Sequence, residues 1–238
     1  MNQTLNSLGQ PIGDPILNFQ ILARPNFSIL KGNSVLVEPI SLLHLSALYQ
    51  AFSKDLSGKN WTYMPYGPFN NETEFSEWAK GSCFGDDPKF YTISGSEGPA
   101  GMASYLRIEP NIGCIELGHI HLSPSLQQTR KGTEALLLMI EWVFESGYRR
   151  LEWKCDSLNA PSRHAAQRLG FSYEGIFRQA TIYKSRNRDT SWYAITSKEW
   201  PTLKAIYADW RTSSNFNAQD REIKKLSDMT KRLLMTQG

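Results

Sequence analysis

Residues 114–171 constrain the fold more than any other part of the 238-residue chain. A strand over 114–122 follows the turn Pro110-Asn111-Ile112-Gly113. A polar turn comes next, and then a long helix over 129–146. Ala135, Leu138, Met139, Trp142 and Val143 recur at helical spacing and face inward, and Gly147 stops the helix. Residues 151–155 return as a strand, and 160–169 form a helix closed by Gly170. Strand, helix and strand in that order make a parallel crossover. Upstream, strands at 90–93 and 100–108 flank the Gly95–Gly98 turn and read as an antiparallel meander. The pattern predicts a mixed, mostly antiparallel α/β domain with one parallel crossover, not a doubly wound sheet.

The rest of the chain fits around this centre. Val35 and Val37 alternate with other residues after a Gly-Asn turn, predicting a strand, and Pro39 and Ser41 then open a helix carrying Leu42, Leu43, Leu45 and Leu48. Two prolines and a glycine make 61–69 a loop. Asn71 or Thr73 caps the following helix, with Phe75, Trp78 and Ala79 on it. Strands are predicted at 171–178 and 192–195, with a polar loop at 184–189 between them. Residues 198–210 read as helix. Ile223, Leu226, Met229 and Leu233 share helical spacing in the tail. The expected organisation is a flexible arm over 1–28, a domain over 29–212 and an amphipathic helical tail over 213–238.

Composition narrows the function classes. Hydrophobic residues make up 40% and aromatics 12%, enough to bury a core. The net charge of +3 gives no basic face for nucleic acid. Arg211, Arg221, Lys224, Lys225, Lys231 and Arg232, set against Asp220, Glu222 and Asp228, carry that whole excess. Cys83, Cys114 and Cys155 are odd in number and widely spaced, so neither a disulfide framework nor a zinc site is expected. Without a basic and apolar leader or a membrane-length apolar run, no membrane partner is expected and the location is read as intracellular, in the cytoplasm.

Two strand-to-helix turns carry the chemistry. In Gln127-Gln128-Thr129-Arg130-Lys131-Gly132-Thr133-Glu134-Ala135 a helix begins with unpaired backbone N–H groups and the positive end of its dipole. Gly132 removes a side chain where an anion would approach, and Arg130 and Lys131 add charge, which suits a diphosphate. One strand later, Asn159-Ala160-Pro161-Ser162 opens the next helix, with Asn159 as N-cap and Ser162 three residues on at the same mouth.

Together these segments resemble the GNAT acetyltransferase family. Gln127, Gly132 and Thr133-Glu134-Ala135 match its Gln/Arg-x-x-Gly-x-Gly/Ala pyrophosphate loop and the usual continuation. Arg130 stands where the first glycine is usual. The stretch from Asn159 through Ser162, Ala165 and Leu169 to Gly170-Phe171 matches the family's Asn-x-x-Ser-x-x-Ala-x-x-Leu-Gly-Phe pattern. The start near Leu30, the 64–69 loop and Glu116-Leu117-Gly118 further resemble the RimJ/RimL-like branch of ribosomal-protein alanine/serine acetyltransferases.

The resemblance, which covers roughly residues 30–200, implies a GNAT-like sheet, flanked by helices, whose central strands at 114–122 and 151–155 splay apart. It implies acetyl-CoA as acyl donor, no metal, and a small-molecule or peptide amine as acceptor. Gln127, Arg130, Lys131, Gly132 and Thr133 would hold the diphosphate. Asn159 and Ser162 would bind the pantetheine arm, and the backbone near Ile120 and Leu122 would polarise the thioester carbonyl. Ser162 is the candidate acid for the leaving thiolate, with Tyr183 and Tyr193 as other donors, and Glu116 is the candidate base. Trp61, Tyr63, Tyr66, Phe69 and Tyr183 are candidates for the acceptor pocket. Their other reading is packing against the sheet. His119 and His121 share a strand face without a third ligand nearby, so they read as structural or substrate-lining. A homodimer is one assembly considered. Arg130 also motivates a second reading, an acyl-CoA-binding regulatory module without turnover.

Overall fold

The computed structural model describes residues 4–238. Its centre is an eight-stranded sheet in the order β3-β4-β5-β6-β7-β8-β10-β9. These strands are β3 (Leu30–Lys31), β4 (Leu36–Pro39), β5 (Lys89–Gly95), β6 (Gly98–Glu109), β7 (Cys114–Leu122), β8 (Arg150–Asp156), β9 (Ser172–Tyr183) and β10 (Arg186–Thr196). Every neighbouring pair is antiparallel except β7 and β8. That exception is the crossover expected from 114–155, made by α3 (Arg130–Glu145). The mixed, mostly antiparallel sheet predicted from the sequence is therefore the one observed.

Helices cover both faces. Helix α1 (Leu45–Phe52) and α2 (Glu72–Ser82) bury Leu48, Phe52, Phe75 and Ala79 with Trp61 against Phe90 and Met102 of the sheet. On the other face α3, α4 (Ala160–Arg168) and α5 (Trp200–Arg211) pack on Ile115, Leu117, Leu151 and Trp153. Leu137, Met139, Ile140 and Val143 of α3 are wholly buried there. Asn71 is the residue that caps α2, accepting the Glu74 N–H at 2.9 Å.

Three segments differ in detail from the sequence expectation. The last two strands are longer, and the polar loop expected at 184–189 shrinks to a two-residue turn. Lys184 (φ 48°) and Ser185 (φ 57°) both occupy the left-handed region, as a tight hairpin turn with matched twist requires. Residues Arg186–Asp189 belong to β10. Their polarity hid this, because β9 is an edge strand exposed along most of its length and its partner there has little apolar surface to cover.

In the N-terminal segment, β1 (Thr4–Leu5) and β2 (Pro11–Ile12) form a small separate hairpin. Nearer the domain, Phe27 stacks on Tyr91 with ring centroids 4.5 Å apart, and the Ala23 carbonyl accepts from the Tyr148 hydroxyl. In the tail, α-helix among the described residues is limited to α6 (Leu226–Thr230), which a 3-10 turn over Lys231–Leu233 continues, and a further 3-10 turn lies at Ser213–Asn215. There Leu226 is buried in the main core, Met229 and Leu233 pack against it, and Ile223 is exposed.

Candidate active site

The site begins where β7 and β8 stop pairing. Their register is Cys114↔Arg150, Ile115↔Leu151 and Glu116↔Glu152, and no pair follows. Beyond Glu116 the strands splay, as the family resemblance implied. On its other side β7 stays bonded to β6, with irregularities between the Leu106↔Glu116 and Glu109↔Cys114 pairs and between the Ser104↔Gly118 and Met102↔His121 pairs. At the second of these His119 and Ile120 face Ala103 alone, a β-bulge, and His119 takes φ 50°. Ser123 donates its N–H to the Ala100 carbonyl of β6 at 2.9 Å. Strand alternation turns the Leu122 N–H and carbonyl the opposite way, into the gap. The Gln127 side chain donates to that Leu122 carbonyl at 2.9 Å, tying the strand end to the following turn.

The mouth of α3 lies at the open end of this gap. Thr129 is the N-cap, and its Oγ1 accepts the Gly132 N–H at 3.1 Å. The backbone N–H groups of Gln128, Arg130 and Lys131 have no acceptor among the described residues. Such free donors at the positive end of a sixteen-residue helix form an anion site. Gly132 is required by shape: a Cβ there would lie 2.3 Å from the Leu126 carbonyl oxygen. Lys131 reaches Ser96 at 3.1 Å, and Thr133 accepts from Arg168 at 3.0 Å. Arg130 turns away from the mouth toward the C-terminal segment, where Asp220 and the Arg211 carbonyl hold it.

Asn159 and Ser162 meet at the mouth of α4, as their spacing required. The Asn159 Oδ1 accepts the Ser162 N–H at 3.2 Å, leaving its amide NH₂ without an acceptor among the described residues. The Trp153 indole N–H donates to Ser162 Oγ at 3.0 Å. Trp153 carries no sequence motif that would have marked it, since on a buried strand it reads as core. Tyr183 donates its hydroxyl to the buried Asp156 at 2.8 Å, and burial followed by that carboxylate pushes its pKa up to about 12. Burial also raises Tyr193, which accepts from Arg163 at 3.3 Å.

Three separate chain segments close over the splay. Tyr63 donates to the Leu158 carbonyl at 3.1 Å, and Lys184 at the β9–β10 tip donates to the Trp61 carbonyl at 2.7 Å. Sequence reasoning missed Lys184, because its contact spans 123 residues and leaves no local signal. Of the four loop aromatics, Trp61 and Phe69 are core packing, meeting edge to face at 5.4 Å. Tyr66 bonds His119 Nδ1 at 3.0 Å, and both line an open cavity of about 440 Å³ with Trp78 and Phe90. His121 is stacked on Trp61 at 3.7 Å and is 3% exposed.

Glu116 sits at the vertex of the splay, 3% exposed. Its carboxylate lies 2.6 Å from Arg107 and 2.9 Å from Lys154, and Lys154 also pairs with Glu152 at 2.7 Å. The two glutamates therefore share a buried ammonium across the last paired rung. Among the described residues no group of three His, Cys, Asp or Glu side chains could hold a metal ion. No helix there is long and apolar enough to cross a membrane.

A splayed parallel strand pair with a glycine-bearing helix mouth at its open end is the arrangement that the GNAT resemblance implied. A family model described as the acetyltransferase (GNAT) domain matches residues 34–172. A GCN5-related N-acetyltransferase from Brucella melitensis is 35% identical, with 91% of this chain and 100% of that one covered and a TM-score of 0.88. The chain belongs to the GNAT acetyltransferase family. Two more distant structures share the fold. The acetyl transferase from Salmonella typhimurium that modifies the N-terminal serine of ribosomal protein L7/L12 is 21% identical, covers 69% of this chain and 96% of its own, and has a TM-score of 0.58. The self-immunity acetyltransferase MccE, solved with acetyl-CoA and AMP, is 21% identical over 69% of this chain and 93% of its own, with a TM-score of 0.62. No curated protein sequence matches the chain.

Two expected outcomes follow from this geometry. Gly132→Ala drives a methyl into the Leu126 carbonyl and distorts the α3 mouth, so acetyl-CoA binding by calorimetry falls at least about tenfold, roughly 1.4 kcal/mol. An unchanged affinity would show that the mouth does not hold the ligand. The second concerns pH. Burial lowers His121 to about 3, and burial with Arg107 and Arg188 lowers His119 to about 4. Both values lie below the unfolded histidine value of about 6.5. Between them the unfolded chain binds protons that the folded chain refuses, so stability is present above about 6.5 and lost as pH falls. Unfolding free energies from urea titrations should decline from pH 7 to pH 4.5, and His121→Phe should flatten that decline by at most about 1.4 kcal/mol per pH unit. An equal slope in this variant would remove His121 as a cause.

Proposed function

We propose that this acetyltransferase moves the acetyl group of acetyl-CoA to a primary amine, by direct attack of the amine on the thioester. One observation carries the reading: the β7–β8 gap opens between two helix mouths, one with free N–H donors and the other with Ser162. The fit of the donor rests on the same features. Gln128, Arg130 and Lys131 offer backbone donors to a diphosphate, Gly132 leaves room for it, and the gap admits a narrow pantetheine arm beside the Asn159 amide. The Leu122 N–H, facing the gap, is placed to polarise a carbonyl lodged there.

Ser162 is assigned the proton supply. Its Oγ accepts from the Trp153 indole, which eases the charge that giving up its own proton leaves on oxygen. As the nitrogen–carbon bond forms and the carbon–sulfur bond breaks, Ser162 gives its proton to sulfur and regains one shed by the amine. Tyr183 suits this role less, with its hydroxyl committed to Asp156. Glu116 is poorly placed to receive the amine, because two cations already occupy its carboxylate. In this reading the amine arrives neutral or loses its proton to water, and Glu116 anchors the vertex of the splay.

The acceptor side is assigned to Tyr66 and His119, whose open cavity adjoins the bulge of β7. A protein N-terminus is one acceptor to test, since an acetyltransferase of the same fold modifies one. The non-catalytic reading loses its motive here, because Arg130 does not enter the phosphate mouth.

Calorimetric titration with acetyl-CoA followed by a thiol-release assay over a panel of peptide and small-molecule amines tests the proposal. Binding with turnover on at least one amine is expected, and absence of binding at millimolar acetyl-CoA would sink it. Asn159→Ala should raise the KM for acetyl-CoA, while Ser162→Ala should lower kcat about a hundredfold or more, the scale of a positioned acid. Unchanged kcat in Ser162→Ala would take Ser162 out of the acid role.

A further inference from the structure

The C-terminal segment forms a clasp on the two ligand-facing helices. Phe216 and Glu222 pair across a tight turn. Within it the Asn217 side chain accepts the N–H groups of Gln219 and Arg221, and Asp220 sits at φ 56°. The turn directs Phe216 and Asp220 at Arg130. The Arg130 guanidinium lies 3.7 Å over the Phe216 ring, 3.2 Å from the Asp220 carboxylate, and donates to the Arg211 carbonyl at 3.1 Å. Its side chain is only 16% exposed.

Glu222 extends the same clasp. It accepts from the Trp210 indole at 2.7 Å and from Arg168 at 3.5 Å, and Arg168 donates to Thr133 in the first turn of α3. Thr230, wholly buried, bonds the Arg168 carbonyl at the end of α4 at 3.1 Å. The segment is thus tied to the first turn of α3 and to the last turn of α4.

A cation in the first turn of a helix opposes the helix dipole. Arg130 is placed there and then taken up by a carboxylate, a carbonyl and a ring, all from residues 211–220. This is the arrangement of a fastener, not of a phosphate ligand. We propose that Arg130 is a positioning residue, and that residues 216–222 act through it to hold the α3 mouth with its free N–H groups turned toward the diphosphate. The proposal rests on the reading of this mouth as the acetyl-CoA site. The physical effect is preorganisation. Without the clasp the mouth occupies its binding geometry for a smaller fraction of the time, and the dissociation constant rises by the inverse of that fraction.

The test uses the full chain with Phe216→Ala, Asp220→Asn and the conservative Phe216→Tyr. Acetyl-CoA dissociation constants come from calorimetry, and amide exchange is followed at Gly132 and Thr133, whose N–H groups bond Thr129. Phe216→Ala is expected to weaken acetyl-CoA about tenfold, corresponding to a competent fraction of about one tenth. It should also speed exchange at those two amides while the β7 amides keep wild-type rates, and Phe216→Tyr should restore both. Asp220→Asn, at an exposed position, should give a smaller loss in the same direction and covers the case in which Phe216→Ala does not fold. Wild-type affinity and exchange in a folded Phe216→Ala or Asp220→Asn overturn the proposal, as does faster exchange spread over the whole sheet. Failure of the wild-type protein to bind acetyl-CoA would bring down the functional reading with it, whereas variants that bind as well as wild type overturn the clasp alone.

Discussion

The end of hydrogen bonding between β7 and β8 is the constraint on which the rest of the molecule depends. Two neighbouring strands in a sheet interior normally satisfy one another, and unpaired backbone groups there are costly. Here pairing stops after the Glu116↔Glu152 rung, and the strand edges beyond it face a gap. The structure tolerates this because the other edge of each strand is engaged, β7 by β6 apart from its irregularities and β8 by β10 along its whole length. The gap also lies beside two helix mouths, so polar groups collect there instead of being scattered.

Electrostatics hold the vertex. Glu116 and Glu152 are both buried and lie side by side, which would be unfavourable without Lys154 between them. Burial works to raise Glu152, and hydrogen bonds from Lys154 and Arg150 outweigh it and lower it. A buried ion group of this kind adds little net stability, but removing one member leaves an unpaired charge inside the protein. Its effect is to fix where the strands part. Around it, the 61–69 loop, the turn before α4 and the β9–β10 tip meet through Tyr63 and Lys184, making one wall from segments far apart in the chain.

Much of this site was legible along the chain. The parallel crossover followed from the order of apolar periods, and the meeting of Asn159 with Ser162 followed from a helical spacing of three. Gly132 was marked by its place at a strand-to-helix turn, and the 2.3 Å approach of the Leu126 carbonyl gives the reason. Other residues carried two readings that local sequence could not separate. Trp61, Tyr63, Tyr66 and Phe69 looked alike in a loop, yet Trp61 and Phe69 pack into the core while Tyr66 lines a cavity. Glu116 looked like a lone carboxylate on a strand, and its two cations come from neighbouring strands, Arg107 from β6 and Lys154 from β8.

By itself the sequence determined what depends on neighbours within a few positions: the element types, the helix caps, the glycine that a close turn demands and the order that forces one parallel return. Periods of two and 3.6 residues and capping chemistry are local properties, so they can be read in line. Tertiary structure alone decided which way Arg130 points, which cations hold Glu116, how far the strands splay and how long the outer hairpin runs. Each of these depends on partners from 9 to 90 residues away or on an edge with no apolar pattern. The charge on Arg130 suggested a phosphate ligand, and only the folded position of Phe216 and Asp220 showed where that charge goes.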